Sequence, residues 1–268
     1  MRVFAATTGV PEAGRNPAAG FAGGTLIGAL VGLGGAEFRL PLLVGAFRFA
    51  TLEAVILNKA MSLIVVTTAL PFRATAVSFG ALAGLWPVIV NLLAGTVVGA
   101  WMGASGATKL KAQTLNRVIA ILLVGIAAVL LLGHSAEQSQ PLLSGPAQAI
   151  AGVLAGVGIG AVAALMGVAG GELLIPTLVI LFGVDVKLAG SVSLAISLPT
   201  MLVAFARYSQ DQSFVVLKQN LNFVVVMGLG SILGTFLGGQ LLRWAPATIL
   251  LPALAVILLL SAWKMWRH

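Results

Sequence analysis

Gly32 to Pro41 reads GLGGAEFRLP and Gly167 to Pro176 reads GVAGGELLIP, two versions of one pattern 135 residues apart in a chain of 268. Each sets paired glycines, one carboxylate and one proline inside apolar sequence. Adjacent glycines favour leaving a helix, and proline is tolerated in the first turn of a new one. Each copy therefore predicts an apolar element that breaks in its middle and restarts.

The repeat extends well beyond the motif. In the same ungapped register Leu30 pairs with Leu165, Phe47 with Phe182, and Ala60, Ser62 and Leu63 with Ala195, Ser197 and Leu198. Near the end of each half Gly95, Gly99 and Gly103 fall on Gly230, Gly234 and Gly238, with Thr96 opposite Ser231. So many special residues in one register mean duplication, with one repeat over residues 1–134 and the other over 135–268. Two halves of this kind can pack into a single unit with the site between them.

Hydrophobic residues make up 59% of the chain and charged residues only 8%, which places it among integral membrane proteins. Runs such as Val118 to Leu132, Leu221 to Leu242 and Thr248 to Leu260 approach, with their flanks, the roughly 20 residues of a spanning helix. Cations lie between apolar runs without a dense cluster, which argues against nucleic acid. Cysteine is absent and only His134 and His268 occur, so no cofactor and no metal site is expected. Met1 to Pro17 has no clear signal-peptide pattern and reads as a cytoplasmic leader.

Each half divides into four apolar segments, at 17–49, 51–71, 84–104 and 114–133 and at 146–182, 187–207, 219–242 and 247–265. The fold class is thus an all-α integral membrane protein of eight segments in two repeats. The first segment of each half would run roughly 45–55 Å as one helix, against about 30 Å of hydrocarbon. It either crosses as a tilted, interrupted helix or enters and returns as a re-entrant hairpin. If it crosses, the loop cations divide almost evenly between the two faces. If it re-enters, Arg2, Arg15, Arg48, Lys109, Lys111, Arg117, Arg207, Lys218, Lys264 and Arg267 share one face, leaving Arg73, Lys187 and Arg243. The second division obeys the positive-inside rule. It predicts a hairpin and three crossings per half, inverted repeats, cytoplasmic termini and breaks that meet near the midplane.

A GxGG(A/G)E stretch leading into an apolar run with proline, present in both halves of an eight-segment protein, resembles the sulfite exporter TauE/SafE family. The resemblance covers nearly the whole chain. It implies transport of sulfite, sulfoacetate or other small organic or sulfur-containing anions across a bacterial inner membrane. The family's glycine triplet is imperfect here, as Gly34, Gly35, Ala36 in one half and Ala169, Gly170, Gly171 in the other.

A helix that starts after a break presents unpaired N–H groups and a positive dipole end, a natural anion receptor. Exposed backbone at that depth is tolerable only around a protein-lined or watered cavity, so Gly34, Gly35, Ala36, Ala169, Gly170 and Gly171 are the first candidates for the substrate shell. Glu37 and Glu172 either cap the second half-helices or exchange a proton during transport. Arg39 has no mate, since Leu174 stands opposite. It neutralises a glutamate or faces the anion. Asn58 and Lys59, opposite Ser193 and Leu194, join the candidates, although a lysine there also reads as snorkelling to the interface. Ser62, Thr67, Ser191 and Ser197 are hydroxyl donors that more commonly bond to backbone.

The glycine ladders at residues 95–103 and 230–238 predict close helix packing, within the chain or at a homodimer contact. Gly152 to Gly160 mimics a nucleotide loop but lies inside an apolar segment with no preceding strand. Arg207, Tyr208, Asp211 and Lys218 read as a solvated loop. A secondary anion transporter, with proton or sodium coupling left open, is the preferred function. An anion channel would use the same dipoles without coupling. An intramembrane enzyme lacks any catalytic constellation, and the partners reduce to the anion and membrane lipid.

Overall fold

The computed structural model describes residues 16–31, 35–74, 83–132, 141–241 and 247–267. Regular structure among these residues is helical throughout. In the first half the helices are α1 (Pro17–Val31), α2 (Ala36–Gly45), α3 (Thr51–Ala74), α4 (Trp86–Ala107) and α5 (Ala112–Leu132). The second half has α6 (Gly145–Met166), α7 (Gly171–Phe182), α8 (Val186–Tyr208), a short 3-10 turn, α9 (Val215–Gln219), α10 (Leu221–Leu241) and α11 (Ala247–Arg267). The starts of α2, α3, α4 and α5 each precede those of α7, α8, α10 and α11 by 135 residues.

Five helical stretches among the described residues are long and apolar enough to cross a membrane, within α3, α4, α5, α6 and α8. A sixth is counted if the stretch Gln212–Gln219 and α10, which meet at a bend of 71°, form one span. The protein is therefore an all-helical, multi-pass membrane protein.

Both motif copies interrupt the helix as the glycines predict. Gly35 adopts φ 57° before α2, while Gly167 and Gly170 adopt φ 70° and 83° between α6 and α7. Glycine takes this left-handed conformation without the steric cost of a Cβ. The prolines differ from expectation: Pro41 and Pro176 lie beyond the first turn of α2 and α7. There each removes the N–H that would bond the carbonyl four residues back, which belongs to Glu37 or Glu172.

The second break is a turn-back. Leu142 N–H donates to Ile180 O at 3.0 Å and the Gln148 amide donates to Leu181 O at 2.7 Å, so the end of α7 lies beside the start of α6. At the other end Gly170 packs on Ala163 and Ile159. The two helices are antiparallel. The limbs are unequal, because α6 has 22 residues and α7 has 12. At 1.5 Å per residue α6 alone is roughly 33 Å long, more than a hairpin reaching only mid-depth requires.

Glycine packing explains that length. A Cβ on Gly95 or Gly99 would fall on the carbonyl oxygens of Val153 and Val157, and one on Gly160 would fall on that of Thr96. Helices α4 and α6 run parallel with their backbones in contact, and the Gly152–Gly160 stretch is the complement of the α4 ladder. In the same way Gly24 and Gly28 of α1 meet Met227 and Ser231 of α10, while Gly230 and Gly234 meet Phe21 and Thr25. Small residues let helices approach closely where no hydrophobic force drives them together. The ladders thus act within the chain, each joining one half to the other. The surroundings of Gly238 lie outside the description.

Candidate functional site

Helix α3 carries the polar side chains that join the two breaks. Asn58 is fully buried, and its amide donates to Ala36 O at 2.9 Å and to Met166 O at 3.0 Å. One side chain thereby ties the first residue of α2 to the last residue of α6. Ser62 donates to Gly167 O at 3.3 Å, adding a third bond to the break itself.

Lys59 does not snorkel. It is fully buried, and its ammonium donates to Ala163 O at 2.8 Å and Val168 O at 2.6 Å. These carbonyls lie at the end of α6 and just beyond it, where the dipole is negative; Ala163 O also accepts from Val168 N–H at 3.0 Å.

Arg39 comes from α2 and is buried to 1% exposure. Its Nε donates to Asn58 Oδ1 at 3.2 Å, Nη1 to Ser231 Oγ at 3.1 Å and Nη2 to Ser62 Oγ at 2.7 Å. The guanidinium thus bonds neutral oxygens rather than closing an ion pair with Glu37 or Glu172. Ser231, on α10, is a site residue the sequence reading missed; its position beside Gly230 in the ladder was the available signal.

Glu37 is buried and lies in the first turn of α2. Its carboxyl meets its own backbone N–H and the carboxyl of Glu172. Glu172, in the first turn of α7, is half-buried. Helical bonding begins at Phe38 in α2 and at Leu173 in α7, so the N–H groups of Ala36, Glu37, Gly171 and Glu172 precede it. Open space surrounds the position a Cβ on Gly171 would take.

The second half lacks the same polar joint. Leu174 is buried where Arg39 has its mate, and Ser193 donates only to Gly190 O within α8. The hydroxyls of Ser191 and Ser197 have no hydrogen-bond partner among the described residues. Thr96, the mate of Ser231, shares a 2.7 Å bond with Thr200. Ala169 is half-buried and Thr67 is exposed on α3. Gly32, Gly34, His134 and Arg243 lie outside the described residues.

Two further expectations change. Tyr208 is buried and donates to Ala164 O at 2.9 Å, so it belongs to the packed end of α8 rather than a solvated loop. Arg207 donates to Ser105 Oγ at 2.8 Å and lies over Trp101. Two crevices lie away from the polar joint between the breaks. One of about 230 Å³ lies between α1, α2 and α11, lined by Phe38, Pro41 and Lys264, and one of about 340 Å³ lies between α5 and α11. At the breaks the polar groups close on one another.

Interrupted apolar helices and buried cations gathered where the interruptions meet define a polytopic protein of the kind that handles solutes within the membrane. A model of the sulfite exporter TauE/SafE family matches residues 17–265, and the chain belongs to that family of membrane transporters. No curated protein and no solved structure matches it.

Proposed function

We propose that the protein is a secondary transporter of small organic or sulfur-containing anions, such as sulfite or sulfoacetate, seated where the two breaks meet. One observation carries this reading. Arg39 and Lys59 are buried at the junction of α2 and α6, bonded to neutral oxygens and leaving positive charge for an anion to balance. The N-terminal ends of α2 and α7 add backbone N–H groups and dipole to the same field. Gly34, Gly35, Ala36, Ala169, Gly170, Gly171, Ser193 and Ser197 form the shell in this reading, with Asn58, Ser62 and Ser231 positioning Arg39.

Helix contacts favour two inverted halves. Asn91 donates to Ala149 O at 2.9 Å, so α4 starts at the end where α6 starts and α7 finishes. Its mate α10 starts at the opposite end, where Phe223 touches Phe47 and Phe49. Thr51 bonds Asn116 at that second end, and Arg117 lies over Trp266, which makes α5 and α11 antiparallel mates. Gathered there are Arg48, Lys109, Lys111, Arg117, Arg207, Lys218, Lys264 and Arg267. That end faces the cytoplasm of a bacterial inner membrane in this reading and holds the start of α1 and the end of α11. Ser62 and Ser231 lie roughly 15–17 Å along α3 and α10 from it, about half of a 30 Å hydrocarbon layer.

A thermal-shift screen of purified protein against sulfite, sulfoacetate, sulfate and small carboxylates tests the reading. One of these anions is expected to stabilise the protein in proportion to its concentration, and Arg39→Ala to abolish that stabilisation. Equal stabilisation of the variant would place the anion elsewhere.

A further inference from the structure

Glu37 and Glu172 are mates in the repeat, and their side chains meet. A residue that touches its own mate lies on the axis relating the halves. This distinguishes the pair from every other polar contact at the junction. Exchanging the conformations of the halves would turn Arg39–Ser231 into Leu174–Thr96 and Asn58–Met166 into Ser193–Val31, replacing charged or amide bonds with weaker ones. The same exchange turns Glu37–Glu172 into itself. It is the contact that both arrangements of an inverted-repeat transporter retain.

The chemistry of that contact calls for a proton. An ionised carboxylate only accepts hydrogen bonds, and two of them facing each other at membrane depth repel. One proton between the oxygens converts repulsion into a short O–H···O⁻ bond. The charged group beside the pair is Arg39 from α2, close enough to feel the charge of Glu37. It directs its hydrogen bonds to neutral oxygens, so it does not replace the proton; Lys59 of α3 is engaged with the carbonyls of Ala163 and Val168. Glu37 also meets its own N–H, so it caps α2 and faces Glu172 at once.

We propose that the Glu37–Glu172 pair is a proton-binding site that couples anion movement to the proton gradient, anion and proton travelling in the same direction. The proposal rests on the anion-transport reading. A negative substrate beside the carboxyl pair is tolerated when the pair takes up a proton, and the proton leaves as the anion does. No bond other than O–H forms or breaks.

The test uses proteoliposomes holding the full chain and a trapped pH-sensitive dye, with labelled sulfoacetate and labelled sulfite as probes. Counterflow exchange without a gradient reports anion transport. Dye fluorescence reports the protons that accompany net flux. Wild-type protein is expected to move protons with the anion, and a gradient acid on the outside to accumulate the anion inside by about tenfold per pH unit. Glu37→Gln and Glu172→Gln are expected to lower the ratio of protons to anions, whatever rate remains, and Glu172→Asp to restore it. Wild-type counterflow with no proton movement would overturn the proton site and leave anion transport standing. An unchanged ratio in both glutamine variants would also overturn the proton site. Absence of counterflow with both probes would overturn the transport reading and this proposal with it.

Discussion

Lys59 shows what a side chain does when its nearest acceptor is a helix end rather than water. Its burial and its two carbonyl bonds make it a cap on α6 supplied by another element. Lys59→Met keeps the length of the side chain and removes the partner of Val168 O, while Ala163 O keeps the Val168 N–H. It is expected to cost roughly 1–3 kcal/mol, read as a lower midpoint of thermal unfolding in detergent; an unchanged midpoint would contradict the cap. Residue types told part of this in advance. Arg39, Asn58 and the glutamates were readable because charge and amide are rare in such sequence. The partner of Lys59 was not readable, because backbone carbonyls carry no sequence signal. Ser231 and Tyr208 were misjudged for a related reason: hydroxyls in membrane helices usually bond locally, and only the fold shows which reach across.

Helix pairs depend on which glycine faces what. Gly99 has the carbonyl of Val157 where a Cβ would go, whereas Gly158 on α6 has open space. Gly99→Ala is expected to push α4 and α6 apart at a cost of about 1–3 kcal/mol. Gly158→Ala is expected to be neutral or to stabilise by up to about 1 kcal/mol through helix propensity. Melting of the two variants side by side checks the difference, and equal effects would contradict backbone contact along this pair. The ladders were legible in the sequence because a four-residue spacing puts small residues on one face. Their pairing across halves was not, since the pattern names a packing face without naming its partner. The breaks were legible too, although the prolines proved to lie a turn later than expected, where they free the carbonyls of Glu37 and Glu172.

At the scale of the whole molecule the duplication is nearly exact in helix positions and unequal in chemistry. Helix starts keep one offset through both halves, while Arg39, Asn58 and Lys59 face Leu174, Ser193 and Leu194. The arrangement with α3 bonded to the end of α6 therefore has polar support that its mirror arrangement lacks. Loop charge had pointed to inversion without showing which helices touch. The inversion is tested most directly by labelling single cysteines at Ala50 and Asp185 with a membrane-impermeant maleimide, in a chain that has no cysteine of its own. In inside-out vesicles Ala50→Cys should react and Asp185→Cys should not, with the reverse in right-side-out vesicles. Reaction of both from the same side would contradict inverted halves and the meeting of their breaks at one site.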